Sequence, residues 1–407
     1  MRILLLCTKF SLTENDPWLT NEFAEAFQLA GHEVTVACLD WSAEGNSPTV
    51  ELRTGTGVRV IAMSPVVARS PLSFLNKGLK WTLSSVQAYR TLRKRLHNEN
   101  FDLLIGFSPA VTMAAPILML TRRLHTKSFL IQWDFFPFHH RQIGLISSPI
   151  AFHAARTAET LLLRRFDTIG CMSPANVDYL HAHYNLWPIQ RVCVLPIWAK
   201  GTRLTEIDPD AIRLKYELPR TRPIVVFGGQ LAPGRGLEDL LKMAELAEGA
   251  DSPLCFLIMG SGPLETLVKA YIGSGHHNLR WIPRVPRSEY LEVIRACDIA
   301  LVCTVRDVDV PTFPSKTLDY LRSGLPIVAS VEKSTDYGTF LESNAVGISV
   351  EAGEPSKLKE AIEKLINDKN RYRLMRRNGP DCFNRNFEVT HVVRKLLEVA
   401  TSTEGAE

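Results

Sequence analysis

Short runs of consecutive apolar residues alternate along the chain with longer stretches in which apolar positions recur every three or four residues. In the first half the runs are ILLLC at 3–7, VTVAC at 34–38, VRVIAM at 58–63, DLLIGF at 102–107, SFLIQW at 128–133 and TIGCMS at 168–173, with VCVLPIW closing the set at 192–198. Runs of this length predict strands buried on both faces, and the helix-length spacers predict parallel strands joined by crossover helices. A polar, proline-punctuated passage at 199–222 reads as a linker with one short helix. The pattern restarts with IVVFGG, LCFLIMG, LRWIP, IALVCT, PIVAS and GISV. The prediction is α/β: two doubly wound domains at 1–198 and 223–385, with ligand at the carboxyl ends of the strands in a cleft between them. Residues 386–407 complete the chain as a C-terminal helix and tail able to cross back to the first domain.

The 407 residues exceed one ordinary core, and 45% hydrophobic with 22% charged residues describe a soluble globular chain. No apolar run reaches the roughly 18 residues of a membrane span, and MRILLLCTKF lacks the length and cleavage site of a signal peptide. The eight cysteines form no CxxC pair and fall mostly in strand-like runs, as expected of buried thiols in a reducing cytosol. A cytoplasmic protein is therefore expected.

Net charge is only +4, yet 52–98 holds no Asp or Glu, while Arg53, Arg59, Arg69, Lys77, Lys80, Arg90, Arg93, Lys94 and Arg95 are all basic. Within 74–97, Leu75, Leu79, Leu83, Val86, Tyr89, Leu92 and Leu96 fall at helical spacing and predict the buried face of a basic amphipathic helix. Such a helix packs on a sheet with a solvated basic face, or additionally meets anionic lipid at the inner face of the cytoplasmic membrane. No nucleic-acid recognition motif accompanies the charge.

The candidate chemistry concentrates in the second half. At 311–330, PTFPSKTLDYLRSGLPIVAS, a helix entered through Pro314 places Ser315, Lys316 and Thr317 at its start, where backbone amides and an ammonium suit an anion, most naturally a diphosphate. Asp319, an acceptor-only carboxylate one turn in, suits sugar hydroxyls of the same ligand, so a nucleotide is expected. After IVVF, Gly229, Gln230, Arg235 and Gly236 make a glycine turn with a permanent cation, and Gly262 makes another after LIMG. In the first half, Asp134, His139 and His140 end a strand and can face the donor sugar or an incoming hydroxyl; packing and capping are the competing account of the histidines. No cluster has metal-ligand spacing, apart from Asp307 and Asp309, which invite a metal test. No cofactor or metal is expected.

These turns resemble those of glycosyltransferase family 4, retaining enzymes of the GT-B fold with two Rossmann-like domains. The matching stretches are 229–236, 260–263, 281–286 and the block ending SGLPIVA, while MRILLLCT, GHEVTVACLD and MSPANVDYL resemble family segments upstream. QWDFFPFHHRQIG, VLPIW and FPSKTLDYLRSGLPI are similar to the branch that builds bacterial surface polysaccharides. The resemblance implies transfer of a sugar from a nucleotide-diphosphate donor to a glycan or lipid-linked acceptor, with Arg284 and Val285 joining the donor residues and Asp319 holding the ribose. It also implies retention, a course in which the departing phosphate can take the acceptor proton. The charge argument makes Arg235 and Lys316 catalytic candidates, and the strand-end position adds His139. Three departures stand out. Gln230 replaces the usual Arg of the first turn, Pro311 replaces the first Glu of the E-x7-E block, and 9–16 replaces the glycine-rich loop after the first strand. Asp307 and Asp309 are candidates to substitute for the missing Glu. A GT-B-shaped nucleotide-sugar epimerase and a non-catalytic nucleotide-sugar-binding protein share the same cradle. An NAD-dependent oxidoreductase is disfavoured, because no GxGxxG follows the first strand.

Overall fold

A computed structural model describes residues 1–13, 17–67, 73–124, 126–201, 206–249 and 254–402, with backbone alone for 73–79. The predicted Arg69 and the side chains of Leu75, Lys77 and Leu79 lie outside the described residues. The chain divides into two compact units, Met1–Lys200 with Val389–Glu407, and Gly201–Glu388.

The first unit is built on eight strands: β1 (Arg2–Cys7), β2 (Glu33–Leu39), β3 (Val50–Arg53), β4 (Arg59–Met63), β5 (Leu103–Phe107), β6 (Lys127–Gln132), β7 (Thr168–Cys171) and β8 (Arg191–Val194). They lie in the order β3-β4-β2-β1-β5-β6-β7-β8. All neighbours are parallel except β3, which pairs antiparallel with β4. The central strands are buried along their length because helices cover both faces, which is why they read as continuous apolar runs. On one face Phe23 stacks on Trp198 at 4.0 Å, and the Trp198 indole N–H donates to the Leu19 carbonyl at 2.7 Å. Val389, Val392, Val393 and Leu396 of the helix Val389–Thr401 join this same core. The last helix of the chain is thereby part of the first unit, and each such side chain contributes about 1.5–3 kcal/mol by leaving water.

The second unit holds β9 (Ile224–Gly228), β10 (Cys255–Met259), β11 (Leu279–Ile282), β12 (Ile299–Cys303), β13 (Ile327–Val331) and β14 (Gly347–Glu351). The order is β11-β10-β9-β12-β13-β14, all parallel. The order in which strands are added to this sheet reverses between β9 and β12, and a crevice opens at the carboxyl ends of strands at such a switch point.

The helix Ser73–Arg95 corrects one expectation. Its buried side is Ser84, Ser85, Ala88 and Leu92, whereas Leu83 and Val86 are exposed. The Ser84 and Ser85 hydroxyls accept from the amides of Val66 and Ala115, both at 2.8 Å, so small polar residues let the helix sit close to its neighbours. All eight cysteines are free, and seven are buried.

Candidate functional site

At the carboxyl end of β9, Gly229 takes φ 126°, a conformation costly for any residue with a Cβ. Its amide donates to the Met259 carbonyl at 2.9 Å. At Gly260, φ 144°, a Cβ would lie 1.9 Å from the Gly229 carbonyl oxygen. The turns after β9 and β10 thus pack backbone against backbone, and the Leu231 amide donates to the Ser261 carbonyl at 3.1 Å. Glycines read in the sequence as room for a ligand are therefore also required by the chain's own packing. Gly236 caps the helix Leu237–Leu246 against the end of β12, and Gly262 donates its amide to Glu265 at 3.0 Å. Gln230 is exposed, Val285 is half-buried, and the Arg284 amide donates to the Ser261 hydroxyl at 3.1 Å.

Lys316 opens the seven-residue helix Lys316–Arg322. The helix is anchored to the end of β9 because the Gly228 amide donates to the Tyr320 hydroxyl at 2.8 Å. That anchor brings Lys316 beside the first glycine turn. A Cβ at Gly229 would lie 3.6 Å from its ammonium, and the ammonium stands 3.5 Å from the centre of the Phe227 ring. The residue keeps partial exposure, while its ammonium lies against the Phe227 ring and the Gly229 turn. Burial, opposed by the Cys303 thiol and reinforced by the nearby Arg235 cation, pushes its pKa down to about 7. Arg235 itself is exposed in the turn. The structure therefore brings Gly229, Arg235 and Lys316 together at the β9–β12 reversal, where a negatively charged ligand would relieve the strain of two like charges.

Two residues of the same helix are placed otherwise than expected. Thr317 is fully buried and its hydroxyl lies 2.6 Å from that of Tyr337, while its amide donates to the Pro314 carbonyl, so neither group is turned to an anion. Pro314 is buried and Ser315 exposed, with no side-chain cap bond from Ser315. The Asp319 carboxylate is occupied by cations: Arg287 donates to both oxygens at 2.6 Å, and Arg322 donates to one at 3.2 Å. Arg287 was not singled out from the sequence; its position directly after the 281–286 stretch was the available signal. Asp307 and Asp309 are exposed beyond β12, Asp307 with φ 66°.

In the first unit, the end of β6 carries the other predicted group. The Ser108 hydroxyl accepts from the amides of Trp133 and Asp134 at 2.8 and 2.9 Å, fixing the strand end. Asp134 lies 3.7 Å from His139 Nδ1 and 4.0 Å from His140 Nδ1, so the three predicted residues do converge. His140 Nδ1 is buried without a hydrogen-bond partner among the described residues, and its ring packs edge-on against Phe136. Beneath them is Glu159, fully buried, accepting from the amides of Ala110 and Val111 at 2.7 and 2.9 Å. Burial is the largest influence on it and raises its pKa to about 7 against those two bonds, with Asp134 adding to the rise. A lone Glu inside PIAFHAARTAETLLL was the sequence signal that went unused. Among the described residues no group of three His, Cys, Asp or Glu side chains is placed to hold a metal ion.

Residues 208–381 match the glycosyl transferases group 1 family, and residues 18–198 match the glycosyl transferase 4-like domain. The chain is 23% identical over 359 residues to the putative colanic acid biosynthesis glycosyl transferase WcaI of Escherichia coli, covering 85% of this chain and 86% of that protein. Its fold is similar to that of sucrose-phosphate synthase from Thermosynechococcus elongatus, at a TM-score of 0.75 and 17% identity, covering 98% of each chain. It is also similar to Anabaena HepE in complex with UDP, at a TM-score of 0.65 and 14% identity, covering 98% of this chain and 99% of that one.

Proposed function

The chain is a two-domain glycosyltransferase of the GT-B fold, and from that premise we propose that it moves a sugar from a nucleotide-diphosphate donor to a glycan or lipid-linked acceptor in bacterial surface polysaccharide synthesis, with retention. The observation that carries the donor assignment is the Lys316 ammonium, which has no paired carboxylate among the described residues, beside Gly229 and Arg235 at the reversal point of the second sheet. Cleaving a sugar–diphosphate bond builds negative charge on the leaving phosphate, and cations fixed in a water-poor place stabilise that charge most as it develops. Lys316 supplies the desolvated charge of this kind, and Arg235, exposed in the turn, adds a permanent one, with no metal required. His139, next to Asp134, is the residue of the first unit assigned to the donor sugar or the acceptor hydroxyl, and the departing phosphate oxygen takes the acceptor proton. The polysaccharide branch draws support from the likeness to the colanic acid relative, and the donor class from the UDP complex of HepE.

Thermal stabilisation by UDP-, GDP- and TDP-sugars tests the donor first, since a ligand at 100 times its dissociation constant adds about 2.7 kcal/mol. Transfer from the stabilising donor to a lipid-linked acceptor follows, with and without EDTA. Lys316→Ala and Arg235→Ala are each expected to lower turnover at least about tenfold, equal to about 1.4 kcal/mol of transition-state stabilisation. EDTA is expected to leave the rate unchanged. Wild-type rates in both variants would remove the cradle assignment, and donor isomerised without any acceptor would replace transfer by epimerisation.

A further inference from the structure

Three helices on one side of the first sheet present no exposed carboxylate. The crossovers from β4 to β5, β5 to β6 and β6 to β7 all run the same way along the sheet, so a common handedness puts Ser73–Arg95, Ala114–Leu124 and Pro149–Leu163 on one face. The middle helix packs against both others. Their sequences contain one acidic residue between them, Glu159, and it is fully buried. Asp178, exposed on the next helix Pro174–His183, marks the edge of the acid-free area.

The exposed surface there has two kinds of strip, one on each outer helix with Ala114–Leu124 between them. On Ser73–Arg95, the outward positions at steps of three and four are Leu83, Val86, Arg90, Arg93 and Lys94, all exposed. Among the described residues no carboxylate pairs with Arg90, Arg93, Lys94 or Arg122. On Pro149–Leu163, the outward positions hold no Asp, Glu, Lys or Arg: Ile150, His153, Ala154, Thr157, Ala158 and Leu161, with Ile150 83% and Leu161 51% exposed. Leu145, 67% exposed, extends this strip into the preceding loop, and Met119 beside Arg122 and Arg123 lies on the helix between. Branched aliphatic side chains left in water at such exposure mark an interaction surface when they cluster.

We propose that this helix face lies on an anionic phospholipid bilayer, with Arg90, Arg93 and Lys94 at the headgroups and Leu145, Ile150 and Leu161 in the boundary below them. An acidic protein would satisfy the cations, but it gives the aliphatic strip nothing to enter. A bilayer supplies both layers at once, charge outside and hydrocarbon beneath. No described helix is long and apolar enough to cross a membrane, so the contact is one of surface. The proposal deepens the lipid-linked acceptor reading by stating which face of the first unit meets the lipid.

The test is sedimentation of the full chain with phosphatidylglycerol–phosphatidylcholine vesicles and with phosphatidylcholine alone, in the absence of sugar nucleotide. Each cation near an anionic surface strengthens partitioning about fivefold, so the triple variant R90Q/R93Q/K94Q is expected to bind about a hundredfold more weakly. I150S/L161S is expected to lose at least about tenfold. All five positions are exposed, and unchanged circular dichroism and melting will verify that both variants fold. Absence of wild-type binding to the anionic vesicles, or wild-type binding by both variants, overturns the proposal. Release by the charge variant alone also overturns it, and points to an acidic macromolecule instead. Donor-induced stabilisation measured on the same samples reports the transferase reading separately, so the two can fail independently.

Discussion

The Lys316 ammonium stands 3.5 Å from the centre of the Phe227 ring, with no carboxylate paired to it among the described residues. A desolvated cation over an aromatic face gains about 2 kcal/mol, which falls short of the hydration it gives up, and its pKa is accordingly pushed from 10.5 to about 7. The unliganded protein is therefore expected to hold a largely neutral Lys316 above pH 7, and a diphosphate bound as proposed would restore the charge. Binding of UDP is expected to take up close to one proton at pH 8, and affinity is expected to fall as pH rises beyond about 7. Calorimetric titration in two buffers of different ionisation enthalpy measures this, with Lys316→Met as the control that loses the uptake. Equal proton uptake in both proteins would mean that Lys316 is already charged when empty.

Unfolding also returns Lys316 to water, where it binds a proton again. Between about pH 7 and its ordinary value the unfolded chain holds more protons at this position, so the stability of the second unit is expected to rise with pH across that window. Lys316→Met removes the dependence and is expected to be more stable than wild type at pH 7. A melting series in the absence of ligand decides it. Parallel profiles for the two proteins would count against a depressed lysine.

Asp319 and its two arginines give a graded expectation. Arg322 and Asp319 are nearly buried, with side chains 8% and 7% exposed, whereas Arg287 is 38% exposed. Asp319→Ala leaves the Arg322 guanidinium buried without its carboxylate and is expected to cost about 3–5 kcal/mol. Arg287→Ala removes the more solvated partner and is expected to cost about 1 kcal/mol. Urea midpoints of the two variants test the order. A larger loss for Arg287→Ala would show that the exposed arm, and not the buried one, holds the helix Lys316–Arg322.

The strands of both sheets were legible because parallel strands covered on both faces must be apolar throughout, as IVVFG and IALVC are. β3 was missed for the converse reason: Val50–Arg53 is a largely exposed antiparallel edge strand and carries no such run. The placement of Lys316 and Arg235 near the first glycine turn was legible because one lies in that turn and the other opens a helix behind a strand end. The engagement of Asp319 was not, since Arg287 lies 32 residues away and only the packing of Arg287–Arg295 against the strand ends joins them. The buried side of Ser73–Arg95 was misjudged because hydrophobicity marked Leu83 and Val86, while close helix packing selected Ser84, Ser85 and Ala88.

Gly260 offers a test of the turn architecture apart from any ligand. A methyl group there would meet the Gly229 carbonyl oxygen and carbon at 1.9 and 2.9 Å, both backbone atoms, and φ 144° adds its own penalty. Neither neighbour can swing aside as a side chain would. Gly260→Ala is expected to lose more than about 2 kcal/mol and to weaken donor binding together with stability, because the turn bearing Gly229 has to move. By contrast Gly275→Ala, where a methyl group meets nothing within 4 Å among the described residues, is expected to cost only the strain of its φ of 92°. Comparable urea midpoints for the two variants would contradict the close approach of the turns.

Glu159 supplies the last prediction, through a proton it keeps. The group is wholly buried, and although two amides donate to its oxygens, desolvation prevails and raises its pKa from 4.5 to about 7. A carboxyl group held more tightly protonated in the folded chain than in the unfolded one contributes stability that is complete below about pH 4.5 and is lost as pH climbs towards 7. The size of that loss is about 3 kcal/mol, from a shift of between two and three pH units in a fully enclosed group. Glu159→Gln stays neutral throughout, so its stability relative to wild type is expected to improve between pH 5 and pH 8 by about that amount. The absolute level is a separate matter, because the Gln amide can turn only one oxygen to the Ala110 and Val111 donors, and some constant cost is expected. Urea midpoints of the first unit across this range separate the two effects. A constant difference between variant and wild type would show that Glu159 is already ionised at pH 5.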